Sequence, residues 1–176
     1  SDIPIITFSG LSKCYLAPGW RVGWAIMSGP GRLLKEYIEA IHKIARARLC
    51  INHPLQYTIK PALEGNQDHI ATMIKKLQIR RDITYQKLNQ IPGISCVKPE
   101  GAFYAFPKIR ANVPDKTFVE SLVQETGVVV VHGSGFGEGV AAGHFRVVFL
   151  PQEEILQKAF GQIESFVKSV TQTTQV

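Results

Sequence analysis

Apolar positions along the chain alternate between short continuous runs and a spacing near 3.6, the signature of strands interleaved with helices. Residues 3–8 and 21–27 are short, rich in β-branched and aromatic side chains and bounded by Gly and Pro. That predicts two buried strands flanking a polar loop. From 31 to 49 the residues Leu34, Ile38, Ile41, Ala45 and Leu49 recur at the period of one helix face. A longer helix is predicted over 66–89, with Ile70, Met73, Ile74, Leu77, Thr84 and Leu88 on one side and Pro92-Gly93 as its stop.

Past this break the texture changes. Short strands are predicted at 95–97 and 103–106, then a helix over 116–126 that Asp115 caps and Gly127 ends. The valine run at 128–131 reads as a strand, and a glycine-rich segment at 133–139 leads to another strand at 144–150. Pro151 opens a last amphipathic helix with Ile155, Leu156, Phe160, Ile163 and Val167 on one side. The class is α/β, with a boundary near Pro92 and the long helix as a spine between two parts.

Composition narrows the function classes. With 176 residues, 45% of them hydrophobic and 19% charged, the chain can bury a core, which excludes a disordered tail, a coiled coil or a collagen. No apolar run reaches membrane-spanning length, and Ser1-Asp2-Ile3-Pro4 lacks a signal-peptide pattern, so a cytoplasmic rather than secreted or membrane protein is expected. Cys14, Cys50 and Cys96 form an odd set without CxxC spacing, which argues against a disulfide framework and a zinc knuckle. The five histidines show no HExxH or Cys/His ligand spacing, so no metal is expected. The formal charge of +6 raises nucleic acid as a partner. The basic clusters, Lys75-Lys76 with Arg80-Arg81 and Arg46 with Arg48, fall on segments of helical period and read as solvated helix faces, so no nucleic-acid partner is expected.

Two segments carry candidate chemistry. Lys13 and Arg21 sit on a tight loop between the first two predicted strands, where free backbone amides and two cations form a candidate cradle for an anionic cofactor; an ordinary surface lysine is the alternative. The glycines at 133, 135, 137 and 139 do not fit GxGxxG, so that segment reads as a turn.

The string Ser9-Gly10-Leu11-Ser12-Lys13, followed by Pro18-Gly19-Trp20-Arg21-Val22-Gly23-Trp24, resembles the cofactor-lysine signature of class I, fold type I, pyridoxal-phosphate-dependent aminotransferases. The wording is closest to the alanine and tyrosine aminotransferase-like group. Lys98-Pro99-Glu100-Gly101-Ala102-Phe103-Tyr104, then Gly133-Ser134-Gly135-Phe136-Gly137, then Gly143-His144-Phe145-Arg146-Val147 resemble the same family in the same order. The likeness covers nearly the whole chain.

The resemblance implies the C-terminal part of a PLP-dependent transferase fold: residues 1–65 as the remainder of the large cofactor domain, 66–92 as the interdomain helix, and 93–176 as the small domain. It implies that Lys13 holds pyridoxal 5′-phosphate through a Schiff base and shuttles protons. An amine in that role must be neutral when it acts, which burial beside other cations favours. Arg21 is implied on the cofactor phosphate, with Ser12 and Ser9 as further phosphate contacts, and Arg146 on the substrate α-carboxylate, a task for a planar fork of donors. The aspartate aminotransferase pattern has its phosphate-binding serine three residues before the lysine, where this chain has Gly10. Arg46 and Arg48 fall in a region that in this family reaches the neighbouring subunit's site.

The implied activity is transfer of an amino group from an L-amino acid, alanine first, to a 2-oxo acid such as 2-oxoglutarate, in a cytoplasmic homodimer. Aspartate or aromatic donors are alternatives, and a non-catalytic module that kept the fold is the reading from another class. The acidic partner of the pyridine nitrogen and the ring stacked on the cofactor belong to the half that would precede Ser1. The chain is therefore expected to be a C-terminal half without turnover of its own.

Overall fold

The computed structural model describes residues 2–110, 113–137 and 139–173. It divides into two compact units, Ser1–Thr72 and Met73–Val176.

In the first unit, β1 (Ile5–Gly10) and β2 (Gly23–Ser28) pair antiparallel, with Ile5 opposite Ser28 and Gly10 opposite Gly23. They lie about where the sequence places strands, but they are not buried. Phe8 is 73% exposed and Ile26 57%. Among the described residues no third strand pairs with this two-stranded ribbon to shield it. After β2 come α1 (Gly31–Ala47) and two short helices that hydrophobic periodicity does not announce, α2 (His53–Gln56) and α3 (Ile59–Glu64). The predicted face of α1 is covered at Leu34, Ile38 and Ile41, while Leu33, Tyr37 and Ile44 form a second apolar stripe left exposed. Leu49 is not part of the helix; it lies beyond the C-terminus at φ 70° and is exposed. Only Leu11, Val22 and Leu34 are fully buried apolar residues of this unit among those described.

The long helix α4 (Asp68–Gln90) runs across the division between the units. The Asn66 side chain accepts the Asp68 N–H at 2.6 Å, supplying the N-terminal partner the helix needs. Toward its C-terminus Thr84 and Leu88 are buried, whereas Ile74, expected on the apolar face, is half exposed.

The second unit holds the main core. A three-stranded antiparallel sheet has the order β4 (Tyr104–Ala105), β7 (Phe145–Val148), β6 (Val131–His132), and β3 (Ile94–Ser95) pairs with β5 (Lys108–Ile109). Phe118 and Leu122 of α5 (Asp115–Thr126) and Leu156, Phe160, Ile163 and Phe166 of α6 (Glu153–Thr173) belong to one buried cluster with Leu88, Phe145, Val147 and Phe149. Arg80 ties α4 to the start of α6: its Nε donates to Glu153 at 2.8 Å and its Nη1 to the Leu150 carbonyl at 2.5 Å.

Two local expectations change here and two hold. Asp115 is the first residue of α5, not its cap; Pro114 takes that position. Gly127 does end the helix, in the left-handed conformation at φ 72°, with its N–H on the Val123 carbonyl. The valine run joins the sheet only at Val131, because β7 pairs with Val131 and His132 alone, and Val129 is 80% exposed. The glycine-rich segment turns as expected: Gly133–Phe136 forms a 3-10 turn, and Glu138 lies outside the described residues.

Candidate active site

The loop that carries Lys13 is built on a buried anchor. Leu11, 1% exposed, follows β1; its N–H donates to the Val22 carbonyl and its own carbonyl accepts the Ala17 N–H. Those bonds close a tight loop, turned by Leu16 at φ 55° and by a 3-10 turn at Pro18–Trp20. Arg21 follows in the left-handed region at φ 56°, ψ 40°, and its Nη1 donates to the Pro18 carbonyl at 2.9 Å. A left-handed conformation is costly for a residue with a Cβ, and such costs concentrate where function requires a fixed side chain.

One concavity of ≈ 330 Å³ is lined by Ser9, Gly10, Ser12, Lys13, Arg21, Val22 and Gly23. Two hydroxyls, an ammonium and a guanidinium, all singled out from sequence, are thus gathered in one place. That donor set suits a phosphate monoester, with an amine beside it whose chemistry is to bond an aldehyde. Among the described residues no carboxylate and no aromatic ring lines it. Lys13 is exposed rather than buried.

In the second unit Arg146 lies on β7 between Phe145 and Val147, both buried, so strand alternation turns its side chain to the face away from the core. Its Cζ lies 4.8 Å from the ring centroid of Tyr104 and 4.8 Å from that of Phe136. Its Nε is buried without a hydrogen-bond partner among the described residues. An unpaired buried N–H on a cation is an opening for an anionic ligand.

Comparison with known proteins identifies the family. The family model for aminotransferase class I and II matches residues 1–162. The chain belongs to that family. It is 39% identical to the glutamate-pyruvate aminotransferase AlaA of Haemophilus influenzae over 97% of this chain and 44% of the relative, and 39% identical to the alanine aminotransferase of Mycobacterium tuberculosis over 97% and 41%. Among solved structures, alanine aminotransferase from Pyrococcus furiosus superposes with a TM-score of 0.92 at 48% identity, covering 96% of this chain and 43% of that one. The chain therefore spans less than half the length of the aminotransferases it matches, and its fold is part of the PLP-dependent transferase α/β fold.

Other conspicuous residues of this aminotransferase chain have structural partners. Lys98, inside a family-like motif, pairs with Asp82 at 3.0 Å, and Arg81 and Lys98 together hold the Asp82 carboxyl below its ordinary value. Arg46 and Arg48 stand exposed at the end of α1; Arg46 donates back to the His42 carbonyl, and neither lines the Lys13 concavity. Among the described residues no helix is long and apolar enough to cross a membrane. Sequence reasoning missed Tyr104 and Phe136 as the rings beside Arg146, and Asp115 as the residue that pins the turn bearing Phe136. Nothing in their spacing signals it, because they come from β4, the 3-10 turn and α5.

Proposed function

We propose that this chain supplies the cofactor lysine and the substrate-carboxylate arginine of an aminotransferase that moves an amino group from an L-amino acid, alanine, to a 2-oxo acid such as 2-oxoglutarate. The observation that carries the reading is the gathering of Ser9, Ser12, Lys13 and Arg21 around one concavity whose donors fit pyridoxal 5′-phosphate. The identity of 39% to relatives named for glutamate–pyruvate and alanine transamination supports the choice of donor.

Pyridoxal 5′-phosphate bound there supplies an aldehyde that bonds an amine and a ring that accommodates negative charge on the neighbouring carbon. Arg21 holds the phosphate with its planar fork, and Ser9 and Ser12 add hydroxyl donors. Lys13 Nζ would hold the aldehyde end of the group, and as an amine beside the substrate it could take and return a proton at Cα. Arg146 holds the α-carboxylate with its planar fork of donors.

In this reading residues 1–65 belong to the cofactor domain, 66–92 to the interdomain helix and 93–176 to the small domain. The working enzyme is a cytoplasmic homodimer acting on amino and 2-oxo acids, with no nucleic-acid partner, and the three cysteines without paired spacing suit a reducing compartment.

The test is a pyridoxal 5′-phosphate titration of the chain followed by borohydride reduction and peptide mapping. Selective labelling of Lys13, with the visible band of lysine-bound cofactor lost in Lys13→Ala, is the expected result. Labelling spread over other lysines, or no labelling, overturns it.

A further inference from the structure

Two parallel N–H···O bonds to a carboxylate form only when the plane of the guanidinium is fixed. At Arg146 the groups within reach that can fix it are aromatic. Its Cζ stands over the rings of Tyr104 and Phe136, at 4.8 Å from each centroid, and its Nε carries an unspent N–H. Tyr104 is placed by β4, paired with Val148 of the strand that bears Arg146. Phe136 is placed by the 3-10 turn, and that turn is pinned twice. The Asp115 carboxylate accepts the Ser134 N–H at 2.6 Å, and His132 Nδ1 accepts the Gly135 N–H at 3.2 Å. Beside Phe136, Phe106 packs edge-on at 6.0 Å and is itself stacked on His144 at 5.1 Å.

We propose that Phe136 is a positioning residue for Arg146: with Tyr104 it holds the guanidinium by ring contact and shields it from water, so that the N–H edge meets a carboxylate in one orientation. This rests on the proposed role of Arg146 as the carboxylate arginine. The ring attracts the cation through its quadrupole and gains strength where water is excluded. Phe136 touches neither cofactor nor reacting atoms in this role. It acts through Arg146, and the glycine-rich segment thereby acquires a purpose that a plain turn lacks.

The experiment titrates the 176-residue chain with pyruvate, reading affinity by calorimetry in every variant and, where Arg146 is present, the shift of its Nε–Hε resonance by ¹H–¹⁵N NMR. Variants are Phe136→Ala, Phe136→Leu, Phe136→Tyr and Arg146→Gln. In the parent chain the resonance shifts saturably. Phe136→Leu keeps the bulk and the fold but removes the ring, and weakens pyruvate binding roughly 3- to 30-fold, as does Phe136→Ala. Phe136→Tyr restores affinity to within about twofold of the parent. In the Arg146→Gln background Phe136→Leu has no further effect. If Arg146→Gln abolishes binding while Phe136→Leu leaves it unchanged, the positioning role is wrong and the carboxylate role stands. A parent chain whose Arg146 resonance ignores pyruvate, or an Arg146→Gln chain that binds it normally, removes the carboxylate role and the positioning role with it.

Discussion

Gly10 and Gly23 lie opposite each other in the β1–β2 ribbon, and at both positions the facing backbone fills the space a Cβ would need. A Cβ on Gly10 would stand 2.8 Å from the Val22 carbonyl oxygen, and one on Gly23 3.0 Å from that of Ser9. This close approach draws Ser9, Lys13 and Arg21 around one concavity. It also explains why the serine that the aspartate aminotransferase pattern carries three residues before its lysine has no place here, while Ser9 stands at the rim instead.

Replacing Gly10 by Ser should therefore cost stability instead of adding a phosphate contact. Backbone is the obstacle, and it yields less readily than a side-chain end, so urea denaturation of Gly10→Ser should show a loss of about 1–3 kcal/mol. Inorganic-phosphate affinity measured by calorimetry should fall or stay level; a gain would mean the ribbon opens without penalty.

Arg21 offers the opposite trade. Its φ of 56° is left-handed, so Arg21→Gly should release strain and stabilise the fold by about 1 kcal/mol in urea unfolding. The same change removes the guanidinium, and phosphate binding should be lost. A variant that is both less stable and able to bind phosphate would contradict both halves of the assignment.

Asp115 predicts a pH dependence. Burial alone would raise its carboxyl, but hydrogen bonds from the Ser134 N–H and hydroxyl and the Lys116 N–H, together with nearby His132, outweigh it and hold the group below its ordinary value of 3.8. A depressed carboxylate contributes stability that is complete above 3.8 and is lost as pH falls through the lower folded value. Asp115→Asn should cost about 1.5–3 kcal/mol at neutral pH, the size of a hydrogen bond to a charged acceptor. Thermal unfolding of the variant between neutral pH and pH 3 should show a shallower acid slope than the parent; parallel slopes would place the acid sensitivity elsewhere.

Hydrogen exchange should separate the two units. The β1–β2 ribbon has open faces and its unit buries few apolar side chains, so its amides should exchange well before those of β7 and α6, which sit in the main core. Equal protection in the two regions would show that the ribbon gains cover that the described residues do not provide.

Much of this was legible in sequence because the signals are local. The spacing of Leu34, Ile38 and Ile41, the Gly127 terminator and the Phe160–Ile163–Val167 stripe each depend on residues within a few turns of one another, and the corresponding helices are present. The strand positions were close for the same reason, but their burial was not: whether Phe8 is covered depends on what lies across the sheet, which alternation along one strand does not encode. Likewise the valine run has strand propensity throughout, yet only Val131 finds a partner residue in β7.

The chemistry divides along the same line. Lys13 and its eight-residue spacing to Arg21 were determined by the sequence itself, since one short loop between two adjacent strands must bring them near each other. Tertiary structure alone decided the surroundings of Arg146. Tyr104, Phe136 and Arg146 lie on three separate segments, and Asp115, which pins one of them, on a fourth; they meet because β4 and β6 both pair with β7 and α5 packs beside β6. Contacts between segments distant along the chain are set by sheet pairing and core packing, and no local pattern of residues writes them down.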